Sequence, residues 1–248
     1  MGNIPAGMLQ DTFQYTLNFT KSHEGDTSFM YNNWSAKNPE RDVTIGVGRA
    51  LLSSPKTVLG PGQFTCVAGE RQAAVARTMF RVKATGQQPT EDQMIAEFRR
   101  VYNTERIGGN LFSAFRDPSP LTMDEEVMLR DLNEKMLGYW DQHQAQLPEL
   151  SAIPAQAQVV LMSWNYGLRL RGAPKMCAAV RARDYEEAAR QTSVPGWDAQ
   201  KNAAHYRLMM NAAAIVNGGL SLNLLPPMAG PFKPPPAVSA STPTTTSP

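Results

Sequence analysis

The apolar residues of this chain recur mainly at the spacing of an α-helix. Between Met128 and Trp140 an apolar residue stands at every fourth position, which places these side chains in one stripe along a helix. Pro154 introduces a further apolar stretch, and proline is favoured in the first turn of a helix. Asp198 can cap a last helix that ends near Gly218. A chain with this pattern is predicted to be mainly helical.

A first helix is predicted over residues 9–24. Phe13 and Leu17 share one face of it, and Glu24 extends that face because it lies seven residues beyond Leu17. Gly25 is a natural end for the helix. The carboxyl group of Glu24 is therefore predicted to lie at a helix end, on the apolar side.

Residues 29–48 have a different character. An asparagine pair and an Asn-Pro dipeptide interrupt short apolar stretches, and apolar and small residues alternate from Val43 to Gly48. This pattern predicts a small β-hairpin region. Residues 52–68, with their Pro and Gly residues, are predicted to be a loop. The predicted order is one helix, a small β region and then many helices, a mainly α chain of α+β type.

Two capping boxes are predicted in the middle of the chain. Thr90 precedes Gln93 by three residues, and Thr122 precedes Glu125 by three, and each pair can satisfy the first free N–H groups of a helix. Residues 69–84 are also predicted to be helical.

The composition limits the partners that the chain can have. Among 248 residues, 24 Lys and Arg stand against 22 Asp and Glu, so a nucleic acid is not expected as the partner. No apolar run is long enough to cross a membrane, and the first ten residues lack the basic and apolar parts of a secretory signal. Residues 1–221 are predicted to form one domain. Residues 222–248, rich in Pro, Ser and Thr, are predicted to be a disordered tail.

The chain has two cysteines, Cys66 and Cys177. Their wide separation fits no metal-binding spacing, so no metal site is expected. Two free thiols in the core are one interpretation, and a single disulfide formed outside the cytoplasm is the other.

Seven short motifs occur along the chain in a defined order. They are Glu24-Gly25, Met30-Tyr31-Asn32-Asn33, Thr44-Ile45-Gly46-Val47-Gly48, Leu121-Thr122-Met123-Asp124-Glu125, Ser163-Trp164-Asn165-Tyr166-Gly167, Asp184-Tyr185-Glu186-Glu187-Ala188-Ala189 and Pro195-Gly196-Trp197. In this order, and with this spacing from Glu24 to Tyr31, the set resembles the phage-type lysozymes, glycoside hydrolase family 24 of the lysozyme-like superfamily. The resemblance covers residues 9–218. An expanded segment at about 50–120 is absent from the small phage enzymes, and this larger form also resembles bacterial muramidase toxins.

The resemblance implies a fold and an activity. The fold would have a small β-hairpin lobe and a helical lobe with the active-site cleft between them. The activity would be hydrolysis of the bond between N-acetylmuramic acid and N-acetylglucosamine in peptidoglycan, by a monomer without metal or organic cofactor. Glu24 would be the proton donor and Thr44 would position the attacking water. The residues implied as substrate contacts are Tyr31, Asn33, Asn165, Tyr166 and Lys201.

The chemistry of glycoside cleavage supports these residue types independently. A carboxylic acid must protonate the leaving oxygen, and an apolar setting keeps such an acid protonated near neutral pH. The apolar face that Glu24 extends predicts such a setting. Glycines beside Thr44 would let the hairpin backbone approach the sugar closely.

One position departs from the family. Asn33 stands where the family has an aspartate, and an amide cannot act as a base. Asp42 is the one aspartate between Tyr31 and Thr44 and is the candidate for the missing role; Glu40, next to a proline, is a poorer one. Three interpretations remain open: an enzyme that uses Asp42, a weak enzyme that relies on Glu24 and Thr44, and a glycan-binding protein without catalysis.

The biological setting is also left open by the sequence. A lysis enzyme and a secreted antibacterial effector are both compatible with it, and either would act in the periplasm or cell wall of a bacterium after synthesis in the cytoplasm. An effector would be expected to have an immunity or inhibitor protein as a partner. The alternatives from other classes are a peptidoglycan-binding protein with the same fold and an assembly protein of a phage tail or secretion apparatus.

Overall fold

The protein was analysed as a computed structural model. It describes residues 4–24, 27–32, 43–51, 56–60, 63–104, 111–167, 170–195 and 197–227. The described chain is mainly helical and carries small antiparallel sheets, which confirms the predicted mainly α, α+β fold class.

The helices are α1 (Gln10–Glu24), α2 (Val67–Val75), α3 (Glu91–Asn103), α4 (Leu111–Arg116), α5 (Glu125–Gln146), α6 (Ala155–Gly167), α7 (Pro174–Arg181), α8 (Tyr185–Arg190) and α9 (Ala199–Asn217). The strands are β1 (Thr27–Asn32), β2 (Val43–Gly46), β3 (Arg49–Leu51), β4 (Lys56–Gly60), β5 (Gln63–Cys66), β6 (Phe80–Val82) and β7 (Leu121–Met123). All pairs are antiparallel: β1-β2-β3 form one sheet, and β4-β5 and β6-β7 form two-stranded sheets.

Two of the predicted helix starts are confirmed by their caps. The hydroxyl of Thr90 accepts from the backbone N–H of Gln93 at 3.2 Å, and the Gln93 side chain accepts from the N–H of Thr90 at 2.9 Å. The carboxylate of Asp198 accepts from the backbone N–H groups of Gln200 and Lys201 at the start of α9. Both caps satisfy N–H groups that have no partner within the helix.

The capping box predicted at Thr122 is wrong. Thr122 lies in β7, where it pairs with Arg81 of β6, so its backbone is extended. The helix begins at Glu125, with Asp124 as its N-cap residue. Pairing with a strand residue 41 positions earlier in the chain therefore decides the conformation of Thr122, and the local capping pattern does not.

Residues 52–68 were also predicted wrongly as a loop. The structure has β4 and β5 there, paired antiparallel with Val58 opposite Phe64. Thr, Val and Phe in these short segments favour strands once they can pair. The helix predicted over residues 69–84 is shorter than expected, because α2 ends at Val75 and the chain passes through a 3₁₀ turn into β6.

A single hydrophobic core joins these elements. The apolar stripe of α5 from Met128 to Trp140 is buried, as predicted. Helix α6 is buried along most of its length and packs against both α1 and α9. On the other side, β1 packs against α3, α4 and β7. Since α6 contacts α1 and α9 together, it places the end of α1 and the start of α9 close to each other.

The packed region continues past the predicted boundary at residue 221. The carbonyl of Leu222 accepts from the N–H of Ala155 at 2.7 Å, and that of Leu224 accepts from the Gln156 side chain at 3.1 Å. These contacts hold the segment after α9 against the start of α6. The remainder of the predicted tail, residues 228–248, lies outside the described residues.

Cys177 is a free, buried thiol, and burial raises its pKa. Because Cys66 is the one other cysteine of the chain, the two do not form a disulfide. Of the two interpretations left open by the sequence, the disulfide is wrong, and the structure shows a free core thiol at Cys177.

Arg183 is expected to destabilise the fold through its backbone. It has a φ of 58° just after α7, where its N–H and that of Asp184 bond to carbonyls of the last turn. This left-handed conformation favours glycine. We predict that Arg183→Gly raises the free energy of unfolding by about 0.5–1 kcal/mol in denaturant titrations. Arg183→Ala, which removes the side chain and keeps the strain, is the control; equal stability of the two variants would contradict the prediction.

Candidate functional site

Glu24 and Lys201 form an ion pair that connects the first and last helices of the core. Glu24 is the last residue of α1, and its side chain is 19% exposed. Lys201 lies in the first turn of α9 with a side chain that is 6% exposed, and its ammonium donates to Oε1 of Glu24. The structure thus brings together two residues that were predicted as acid and substrate contact. Glu24 is in contact with a charged group, the ammonium of Lys201, whereas the sequence predicted an apolar setting.

Tyr31 and Thr44 face each other across the first sheet. They are opposite residues of β1 and β2, and their side chains are hydrogen-bonded. Burial raises the pKa of Tyr31 to about 12, the negative charge of Glu24 adds to the rise, and the hydrogen bond with Thr44 opposes it. The Tyr31 hydroxyl is therefore a neutral group close to Glu24.

Tyr166 connects the helical part of the site to the hairpin. It lies on α6, and its hydroxyl donates to the backbone carbonyl of Val47. The same hydroxyl oxygen is 3.4 Å from the ammonium of Lys135, which pairs with Asp131 at 3.3 Å. Burial raises the pKa of Tyr166, and the charges of Asp131 and Glu24 add to the effect. Tyr166 stays neutral, so it holds the hairpin without adding charge to the site.

Gly48 brings the turn after β2 against the acid. Its φ is 62°, and a Cβ added there would lie 3.3 Å from Cε1 of Tyr166 and 3.4 Å from Oε2 of Glu24. The sequence predicted that this glycine lets the backbone approach a sugar. In the structure it lets the backbone approach Glu24 and Tyr166.

Asn165, predicted as a substrate contact, is buried. Its side-chain oxygen accepts from the backbone N–H of Leu170 at 3.0 Å. Its amide nitrogen is buried and has no hydrogen-bond partner among the residues that the structure describes. The contact with Leu170 fixes the chain that follows α6.

The candidates for the second catalytic group lie outside the described residues. These candidates are Asp42 and Glu40, and the predicted substrate contact Asn33 and Gly25 also lie outside the described residues. The role of Asp42 therefore stays a prediction. Sequence reasoning missed Asp131, a carboxylate of α5 whose charge acts on Tyr166. Its i,i+4 spacing from Lys135 on a predicted helix was the available signal.

An aromatic group lies behind Lys201. The ammonium is 3.8 Å from the centre of the Trp197 ring, and that ring packs on Trp164 and His205 with centroid distances of 5.2 and 5.6 Å. His205 Nδ1 lies 2.9 Å from the carbonyl of Lys201, and Nε2 lies 3.1 Å from the hydroxyl of Ser163. Because a carbonyl only accepts, Nδ1 carries the proton and Nε2 accepts from Ser163.

His205 is neutral in the folded protein. Burial, assisted by the charges of Lys201 and His23, lowers its pKa to about 3. Within the described part of the chain, no three His, Cys, Asp or Glu side chains are grouped as a metal site would need. No described helix combines the length and apolar character needed to cross a membrane.

Comparison of the sequence with models of protein families and with curated proteins finds no match to this chain. Function is therefore inferred from the geometry of the site and from the order of the motifs.

The contact of Gly48 with Glu24 and Tyr166 can be measured by substitution. Gly48→Ala combines an unfavourable backbone conformation with close contacts, whereas Gly86 has a similar φ of 68° and open space around it. Backbone strain costs about 1–2 kcal/mol in both variants. We predict that Gly48→Ala lowers the free energy of unfolding by more than Gly86→Ala does. Equal losses of unfolding free energy in denaturant titrations would show that the turn at Gly48 is not in close contact with Glu24 and Tyr166.

Two buried histidines predict a loss of stability in acid. Burial lowers the pKa of His143 to about 4 and that of His205 to about 3, whereas the unfolded residues titrate at about 6.5. Between these values the unfolded chain binds more protons, so the free energy of unfolding falls as pH decreases below about 6.5, by up to about 1.4 kcal/mol per pH unit for each histidine. His143→Gln and His205→Gln should each make this dependence shallower in urea titrations from pH 7 to pH 4. An unchanged slope in both would contradict the prediction.

Proposed function

We propose that this protein is a peptidoglycan muramidase that hydrolyses the bond between N-acetylmuramic acid and N-acetylglucosamine. The observation that supports it best is the group around Glu24. A carboxylate at the end of α1 lies against the turn of a small hairpin at Gly48 and beside the paired Tyr31 and Thr44. The motif order resembling the phage-type lysozymes supports the same function.

The proposed reaction assigns a role to Glu24. Its carboxylic acid donates a proton to the glycosidic oxygen, the bond from that oxygen to the anomeric carbon breaks, and the leaving sugar keeps the electron pair. Water adds to the anomeric carbon and loses a proton, which creates a new reducing end. Thr44, at the strand position opposite Tyr31, is proposed to orient this water. Asp42 is proposed as the group that accepts the water's proton.

The neighbouring groups suit an uncharged substrate region. Tyr31 and Tyr166 are held neutral, and the charge of Glu24 is balanced by Lys201. Neutral hydroxyls near a balanced ion pair favour hydrogen bonds to sugar hydroxyl and acetamido groups over binding of an ion. The reaction requires no cofactor.

The setting follows from this substrate. We propose that the protein acts as a monomer on glycan strands in the periplasm or cell wall of a bacterium, as a lysis enzyme or as a secreted antibacterial effector. In the second case an immunity protein would be a further partner.

A second candidate function is peptidoglycan binding without catalysis. The closed ion pair favours it, because Oε1 of Glu24 is already engaged by Lys201. Asn33 at the family's aspartate position favours it as well.

Glu24→Gln is the decisive variant for the proposed activity. We predict that the native chain releases reducing ends from purified sacculi and that the variant loses about 10²–10⁴-fold of the rate, the usual contribution of a general acid. Glu125→Gln is the matched control, because Glu125 also pairs with a lysine, Lys21, but is 66% exposed. It should keep the native rate.

Folding and binding measurements make the result unambiguous. The Gln variant leaves the buried Lys201 without its charged partner, so its unfolding curve must show a folded protein at the assay temperature. Glu24→Asp keeps the charge, shortens the side chain and should also lose most of the rate. A native chain that sediments with sacculi but releases no reducing ends supports the second candidate. A chain that does neither contradicts both functions.

A further inference from the structure

We propose that Trp197 is a positioning residue whose ring holds the ammonium of Lys201 in place against Glu24. The inference rests on the proposed function for its catalytic consequence. Its structural part, the control of Lys201 by the ring, is testable without any activity. Trp197 belongs to the Pro195-Gly196-Trp197 motif, but the resemblance assigns no role to its side chain.

The burial of Lys201 creates the need for such a group. A charged ammonium removed from water is costly unless several partners surround it. Glu24 engages one of its three donors. The Trp197 ring centre is 3.8 Å from Nζ, well within the roughly 6 Å over which the negative face of an aromatic ring attracts a cation. Tryptophan is the strongest of the aromatic side chains in this role.

The Trp197 ring is itself fixed by the core. It packs on Trp164 of the buried helix α6 and on His205 of α9. His205 is hydrogen-bonded to Ser163 of α6 and to the carbonyl of Lys201. The ring, α6 and the first turns of α9 are therefore joined by packing and hydrogen bonds into one support behind the lysine. Because the ring is held in place, its attraction for Nζ favours the position of the ammonium beside Glu24.

An aromatic face suits this position better than a second carboxylate. In the proposed reaction Glu24 must carry a proton at one stage, and it then no longer neutralises Lys201. The ring still attracts the ammonium at that stage, and it cannot accept the proton itself. A second carboxylate would compete with Glu24 for both the ammonium and the proton. Trp197 therefore keeps Lys201 in place through both charge states of Glu24.

The kinetic test separates positioning from direct sugar contact. Trp197→Leu fills much of the space without a π face, and Trp197→Phe keeps a weaker one. We expect kcat on solubilised glycan strands to fall about five- to thirtyfold in the Leu variant, which corresponds to about 1–2 kcal/mol, and by less in the Phe variant. KM should stay within about twofold, since a group that acts through Lys201 changes the chemical step. A raised KM with unchanged kcat would assign Trp197 to sugar binding and overturn the proposal.

A second measurement is independent of activity. The Lys201 amine can be acylated with a small amine-reactive ester and its labelling rate read by peptide mass spectrometry, with exposed Lys175 of α7 as the internal reference. We expect slow labelling of Lys201 in the native chain, fast labelling in Trp197→Leu and an intermediate rate in Trp197→Phe. Tyr206→Leu is the matched control, because Tyr206 is an aromatic residue of α9 that is 46% exposed, and it should leave Lys201 as slow as in the native chain.

The outcomes distinguish the two proposals. Equal Lys201 labelling in the native, Phe and Leu proteins, each shown to be folded by its unfolding curve, overturns the positioning role whatever the activity. If the three proteins show the expected order of labelling rates but the native protein releases no reducing ends, Trp197 controls Lys201 and the proposed muramidase function is wrong.

Discussion

The buried ammonium of Lys201 is the constraint on which the arrangement of this site depends. A charge at that depth requires a partner, and Glu24 at the end of α1 provides it. The two residues are 177 positions apart, so the pair fixes the last helix against the first. Helix α6 packs on both α1 and α9, so the geometry of the ion pair depends on how these three helices pack.

The hairpin is tied to the same point by uncharged groups. Gly48 brings its turn against Glu24, and the hydroxyl of Tyr166 reaches from α6 to the carbonyl of Val47. Because burial keeps Tyr31 and Tyr166 neutral, these contacts add hydrogen-bonding groups without disturbing the balance of charge between Glu24 and Lys201. The result is a carboxylate held in a defined direction beside neutral hydroxyls.

The sequence predicted those features that a few neighbouring residues encode. The Thr90 cap, the Asp198 cap and the burial of the α5 stripe are confirmed because each depends on one turn or one helix face. Strands β4 to β7 were not predicted because these short segments become strands only when they pair with each other. Thr122 is an example: it matches a capping pattern, but it pairs with Arg81 of β6 and is extended. Of the site, the motifs identified residues that meet around Glu24. The placement of Trp197 on Lys201 and the contact of Asn165 with Leu170 depend on how helices pack, which no local pattern shows.

One carboxylate carries two demands that conflict. As the partner of Lys201, Glu24 must be charged, and as the proton donor of the proposed reaction it must be neutral. If the ammonium stays in place when the carboxylate takes up its proton, the same ion pair can form again after the proton has been transferred. The Trp197 ring, fixed by Trp164 and His205, attracts the ammonium without binding a proton. In the proposed reaction, the aromatic support behind Lys201 keeps the ammonium beside Glu24 in both charge states of the carboxylate.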